Sequence, residues 1–202
     1  MLAEAGFTVA DARNAWRWHD NAICVFNIRA VGNYFSQVTG WPPGSFCAWL
    51  AVLYKFMPVL GEVALDGEGR MVPREAQGHM RSHLECVLEQ GAKVHRLPNP
   101  RERERRDIFW MDHDGDNASE VAEAVAAALR DQGLPWFSRM LNLEQALAEV
   151  EASRDCYDKF DKTAFLAREL GDHDRWERDA RRAEAEAQRI QRPIHRLERY
   201  GI

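Results

Sequence analysis

The sequence predicts an α+β fold: a mainly antiparallel sheet covered by helices, followed by a C-terminal helical hairpin subdomain. Three observations predict it. Ala22–Arg29 (AICVFNIR) is a nearly continuous apolar run, which suits a central strand covered on both faces, and the longer apolar and aromatic run Phe46–Met57 suits another, ending at Pro58. Asp107–Phe137 reads in turn as strand, acidic turn, amphipathic helix and stop. After Phe137 the apolar residues recur at helical spacing only.

The elements follow in order. Met1–Ala5 resembles the last turn of a helix, stopped by Gly6 with Phe7 behind it. Ala12–His19 alternates, with Trp16 and Trp18 on one face and Arg13 and Arg17 on the other. Asp20-Asn21 tolerates positive φ and predicts a two-residue hairpin turn into Ala22–Arg29. Val31–Ser45 is turn-rich around Gly40-Trp41-Pro42-Pro43-Gly44, with a short strand expected near Tyr34–Val38. Val63–Val72 is expected to be a hairpin turning at Asp66-Gly67-Glu68-Gly69. Met80, Leu84 and Leu88 at every fourth position predict a helix over Glu75–Glu89, stopped by Gly91. Leu97–Arg106 (LPNPRERERR) reads as a solvated loop.

In the stretch from Asp107, the apolar residues to Met111 suit a buried strand. Asn117 and Glu120 have capping-box spacing. Val121, Val125 and Leu129 form the packing stripe of a helix over Asn117–Gln132, which Gly133 ends in a left-handed C′ conformation before Pro135. Helices are then expected at Leu143–Val150, Tyr157–Leu170 and Asp172–Ile190, with a short one after Pro193. Trp176, Ala180, Ala183, Ala187 and Ile190 on one helix match Tyr157, Phe160, Ala164 and Ala167 on the other. The short Gly171-Asp172 turn makes the two antiparallel. The expected division is an α+β domain over 1–150, covered by the helices at Glu75–Glu89 and Asn117–Gln132, with a helical subdomain over 151–202 packed on it.

Composition bounds the function. The chain has 202 residues, nearly half of them hydrophobic, and a net charge of −5, which argues against a general nucleic-acid binder. Cys24, Cys47, Cys86 and Cys156 have no metal-site spacing, and three of them lie in apolar surroundings. No stretch is long and apolar enough to span a bilayer, and the N-terminus lacks a basic, apolar leader. The expectation is a cytoplasmic protein with reduced thiols. No Ser/His/Asp order, phosphate loop or dinucleotide fingerprint occurs, and Gly67-Glu68-Gly69 is a turn.

Three groups of residues are candidate sites. Asp112, Asp114 and Asp116 alternate, and Glu123 lies twelfth, as in a calcium loop. However, Asn117 stands where such loops carry Gly, Ser119 replaces an aliphatic residue, and a strand leads in. The plainer reading is a helix start with solvated carboxylates. His79 and His83, followed by Cys86, would share one face of a helix, but no Glu follows His79, so the metalloprotease pattern is missing. Asn27, Arg29 and Arg81 interrupt apolar segments. They line a pocket for an acidic ligand, or Arg29 pairs with Asp107 or Asp112 within the core.

With these residues placed, the chain resembles a bacterial family known as a domain of unknown function (DUF). The likeness runs through Gly6-Phe7, Trp16 and Trp18, Asn27 and Arg29, His79–Leu84, and Asp107 through Gly133-Leu134-Pro135-Trp136-Phe137. The family resembles immunity-type proteins that neutralise bacterial toxins, and it supplies no catalytic residues. The resemblance implies a non-enzymatic module that binds another protein. With the charge, the hydropathy and the C-terminal hairpin, the expectation is a cytoplasmic protein with no cofactor, no nucleic-acid or membrane partner, and a monomer or weak homodimer as its state. The alternative is a divalent-metal-assisted hydrolase or nucleotide-processing enzyme using Asp112, Asp114, Asp116 and Glu123.

Overall fold

The computed structural model describes residues 2–9, 11–86 and 91–190. Its sheet has five strands in the order β1 (Thr8–Val9), β2 (Asn14–Trp18), β3 (Ala22–Ala30), β4 (Phe46–Tyr54) and β5 (Met80–His83). The β1–β2, β2–β3 and β4–β5 pairs are antiparallel. The expected Asp20-Asn21 turn closes with a 2.8 Å bond from His19 N–H to Ala22 O and sets the register Trp18↔Ile23. The fold class is α+β, as the sequence predicts.

Two compact units make up the chain: Met1–Leu53 with Leu60–Phe137, and Tyr54–Val59 with Ser138–Ile202. The expected division lay at Val150, whereas the helix α6 (Leu143–Glu151) belongs with the C-terminal helices.

In the first unit, α4 (Ala118–Ala128) buries Val121, Ala124, Val125 and Ala128, close to the predicted stripe. The predicted stop at Gly133 is not made. Leu129–Gly133 widens into a π-helical turn, in which Leu134 N–H bonds Leu129 O, and runs straight into α5 (Leu134–Leu141). The extra residue in the turn lets the helix pass Pro135, which has no N–H to donate and would crowd a regular α-turn. Asn117 does not cap the helix with its side chain either. Its Oδ1 accepts from Asp112 N–H at 2.8 Å and its Nδ2 donates to Trp110 O at 2.9 Å, tying the acidic turn to the segment before it. That segment is buried at Ile108 and Phe109, but it forms only a bridge, Phe46↔Phe109, instead of the expected strand.

Three further local expectations are corrected. Tyr34–Val38 lies in α1 (Asn33–Thr39), not in a strand; Gly40, at φ 85°, ends the helix. The expected helix over Glu75–Glu89 is a single 3₁₀ turn at Glu75–Gln77 followed by β5. The open edge of β4 takes up Met80–His83, and Gly78 sits so close to Ala51 that a β-carbon would be 2.5 Å from its Cβ. The part of that expectation at residues 87–90 lies outside the described residues. Leu97–Arg106 contains a helical turn, α3 (Pro100–Arg103), capped by Asn99, whose side chain accepts from Arg101 N–H. Before it comes the short α2 (Gly91–Val94). Val31, Trp41, Val94, Leu97 and Ile108 form a satellite core among these short elements.

On the sheet face that carries Trp16 and Trp18, the predicted hairpin forms a Leu65↔Met71 bridge. Met71 O and Pro73 O accept from the Trp18 and Trp16 indoles at 2.8 Å. Segment Met71–Glu75 thus crosses this face from β2 to β5, where Glu75 meets Arg81 at 2.5 Å.

In the second unit, α7 (Tyr157–Glu169) and α8 (His173–Arg189) form the predicted hairpin. Gly171 is left-handed at φ 77°, and Asp172 caps α8 by accepting from Arg175 N–H. Ala164 and Ala167 on α7 and Ala180, Ala183 and Ala187 on α8 are fully buried, while Ile190 is exposed. The helix expected after Pro193 lies outside the described residues.

Candidate functional site

The site is built on the sheet face opposite α4. Period-2 alternation puts Asn27 and Arg29 of β3 on the side of Trp16 and Trp18, and puts Trp49 of β4 with Arg81 and His83 of β5. Because Met71–Glu75 bonds to both ends, this is one face. At its centre the half-buried Trp49 takes His83 edge-on, with ring centroids 5.7 Å apart, and the Arg81 guanidinium at 5.6 Å. Its indole N–H meets no acceptor among the described residues. His83 and Arg29 are exposed, and Arg29 carries no ion pair among the described residues.

Polar groups border this centre. Arg105 clasps Asp107 through two nitrogens, one of them 2.8 Å from Oδ1, and these bonds hold the Asp107 carboxyl below its usual range. Arg105 also reaches Glu102, which accepts from the Trp41 indole at 2.9 Å. Cys47 points its thiol at Asp107, 3.9 Å away. Burial, reinforced by the charge of Asp107, pushes that thiol up to about 11 even with Arg105 and Arg29 near it. A thiol held protonated in this way is a poor nucleophile at neutral pH.

The sequence candidates fall as follows. Asn27, Arg29 and Arg81 share the face, but no bond joins them among the described residues. Asn27 Nδ2 donates to Asn14 Oδ1 at 2.8 Å, and Arg81 bonds Glu75. Arg29 does not take up its expected partners, because Asp107 is held by Arg105 and Asp112 by Lys93. His79 and His83 lie along extended chain rather than one helical turn apart, so they stand on the order of 13 Å from each other. The acidic turn does not converge: Lys93 Nζ lies 2.9 Å from Asp112, and the Trp110 indole donates to Asp112 as well. The Lys93 bond, ahead of the Trp110 one, lowers the Asp112 carboxyl. Asp114, Asp116 and Glu123 are exposed. Among the described residues, no three His, Cys, Asp or Glu side chains gather as metal ligands.

Sequence reasoning missed Trp49, Glu75 and Arg105. Trp49 has a readable signal, since Cys47 and Trp49 alternate with the fully buried Ala48 and Leu50. The Glu75–Arg81 pair has none, because it depends on a strand that reads as a helix. No helix among the described residues is long and apolar enough to cross a membrane. Comparison with family models, curated proteins and solved structures found no match to this chain.

Proposed function

We propose that this chain is a non-enzymatic, cytoplasmic protein-binding module of the immunity type. The observation that carries this reading is the Trp49 face. A half-buried tryptophan flanked by Arg81 and His83, on the face that also carries the exposed Arg29, has the chemistry of a binding hot spot, where tryptophan and arginine are enriched. The exposed Arg29 and Arg81 make this face locally positive on a chain of net charge −5, and that local charge favours carboxylates on the partner surface that meets it. The resemblance to immunity-type proteins points the same way.

The test is quantitative capture from a bacterial lysate with the full chain, Arg29→Glu and Trp49→Ala. The expected result is a defined protein retained by the wild type and released by both variants, with the melting temperature of Arg29→Glu unchanged. Retention that is indifferent to Arg29→Glu overturns the reading.

A further inference from the structure

In an antiparallel ladder, alternate residues exchange backbone bonds with the neighbouring strand, and the residues between them turn theirs away. Leu84 N–H donates to Ala48 O at 2.9 Å, and the register runs from Trp49↔His83 to Val52↔Met80. Ser82 and Leu84 therefore bond inward to β4. Arg81, His83 and Glu85 turn their N–H and C=O groups to the outer edge of β5, the last strand of the sheet.

The fold fills one of these three positions itself. Gln132, in the π-helical turn, accepts from Glu85 N–H at 2.9 Å and donates to Glu85 O at 3.0 Å. Its side-chain amide imitates one residue of a sixth strand. Next along, Cys86 N–H donates to Arg106 O. At Arg81 and His83 the described residues supply no such partner, and both residues are exposed.

We propose that the outer edge of β5 at Arg81 and His83 receives an extended segment of a partner protein as a sixth strand. That segment would carry carboxylates at the two positions facing these side chains. The inference rests on the protein-binding reading and names the form of the partner. Side chains paired across an antiparallel ladder stand on the same face, here the Trp49 face. Glu75 occupies Arg81 Nε, so the Nη atoms remain for a carboxylate. Arg29 adds a positive charge on that face. A second copy of this chain is disfavoured: two β5 strands paired about Ser82 would set Arg81 against His83, basic against basic. Gln132 marks where the added strand must end.

Amide hydrogen exchange on the full chain tests this. The probe is a blocked peptide alternating threonine and glutamate, with a threonine–lysine peptide as control. In the free chain the Arg81 and His83 amides are expected to exchange roughly tenfold or more faster than those of Ser82 and Leu84. The glutamate peptide should slow these two amides selectively, and the lysine peptide should not. His83→Pro removes the outward N–H together with the imidazole beside Trp49 and leaves the ladder to β4 intact, and His83→Ala removes the imidazole alone. Both should keep the fold, and only the proline variant should lose the slowing at Arg81 altogether. Four amides equally protected in the free chain, or no slowing with the glutamate peptide, overturn the inference; a short charged edge then serves only to keep sheets apart. If the edge fails while Arg29→Glu still abolishes capture, the protein-binding reading stands without it. If the peptide binds while capture ignores Arg29→Glu, the edge stands and the Trp49 face falls.

Discussion

A β-carbon on Gly133 would lie 2.6 Å from Leu129 Cδ1 and 3.2 Å from Leu84 Cδ2, and Gly133 is not among the residues of positive φ. It is glycine for space, so the penalty for substitution should follow side-chain volume. Gly133→Ala is expected to cost about 1–3 kcal/mol and Gly133→Asn more, measured by urea denaturation. A left-handed site would reverse that order, because Asn tolerates positive φ better than Ala. Asp107 sets a pH dependence. Its carboxyl is depressed in the folded chain, chiefly by the Arg105 bonds. The contribution is fully present above the unfolded value of about 4 and is lost as pH falls through the folded value. Acid unfolding of Asp107→Asn should therefore show a shallower loss than the wild type below about pH 4. An identical slope would show that the clasp contributes nothing to folding.

Among the elements, the α7–α8 hairpin is where local signals and packing agree most closely. Small residues at Ala180, Ala183 and Ala187 let α8 approach α7, and the left-handed Gly171 with the Asp172 cap makes the reversal. Asp179, buried on α8, is held by Arg178 at 3.1 Å, with Arg175 and Arg182 at 3.9 Å. Ala183→Leu should cost about 1–3 kcal/mol by overpacking. Ala185→Leu, on the exposed side of the same helix, should stay within about 0.5 kcal/mol of the wild type. Equal melting of the two variants would place the packing face elsewhere. β5 is the opposite case. Met80, Leu84 and Leu88 carry helical spacing, yet four residues of that stretch extend the sheet, because the unpaired backbone of β4 is satisfied only by another strand.

On the scale of the whole molecule, the division into units does not follow chain order. Tyr54–Val59 begins with the last residue of β4 but belongs with the C-terminal helices. The fully buried Tyr54 donates its hydroxyl to Met140 O at 2.6 Å, and Arg168 bonds Phe56 O at 3.3 Å. Tyr54→Phe should lower stability by about 1 kcal/mol, the net worth of a buried hydrogen bond plus the carbonyl left behind. A loss in denaturant midpoint confirms the anchor, and an unchanged midpoint removes it. By the same logic, a chain cut after Phe137 should lose solubility, because Tyr54 and Met57 are buried with residues beyond the cut.

The sequence by itself determined the elements whose bonding is local. The β2–β3 hairpin, the Gly6 reversal ahead of Phe7, the Gly69 turn and the α7–α8 hairpin all rest on turn residues and periodicity within a few positions of each other. Tertiary structure alone decided four things. Gly133 continues a helix, Asn117 bridges a loop instead of capping, Met80–His83 forms a strand, and the acidic turn is drawn toward Lys93 instead of converging on itself. In three of these the deciding partner lies far away in sequence: Leu50 and Leu84 beside Gly133, β4 beside Met80–His83, and Lys93 beside Asp112. Asn117 is drawn instead to Asp112 and Trp110, in the segment just before it. Local propensity is worth tenths of a kcal/mol per residue, whereas an unmet buried hydrogen bond or a clash in the core costs about 1–3 kcal/mol, so the distant partner prevails.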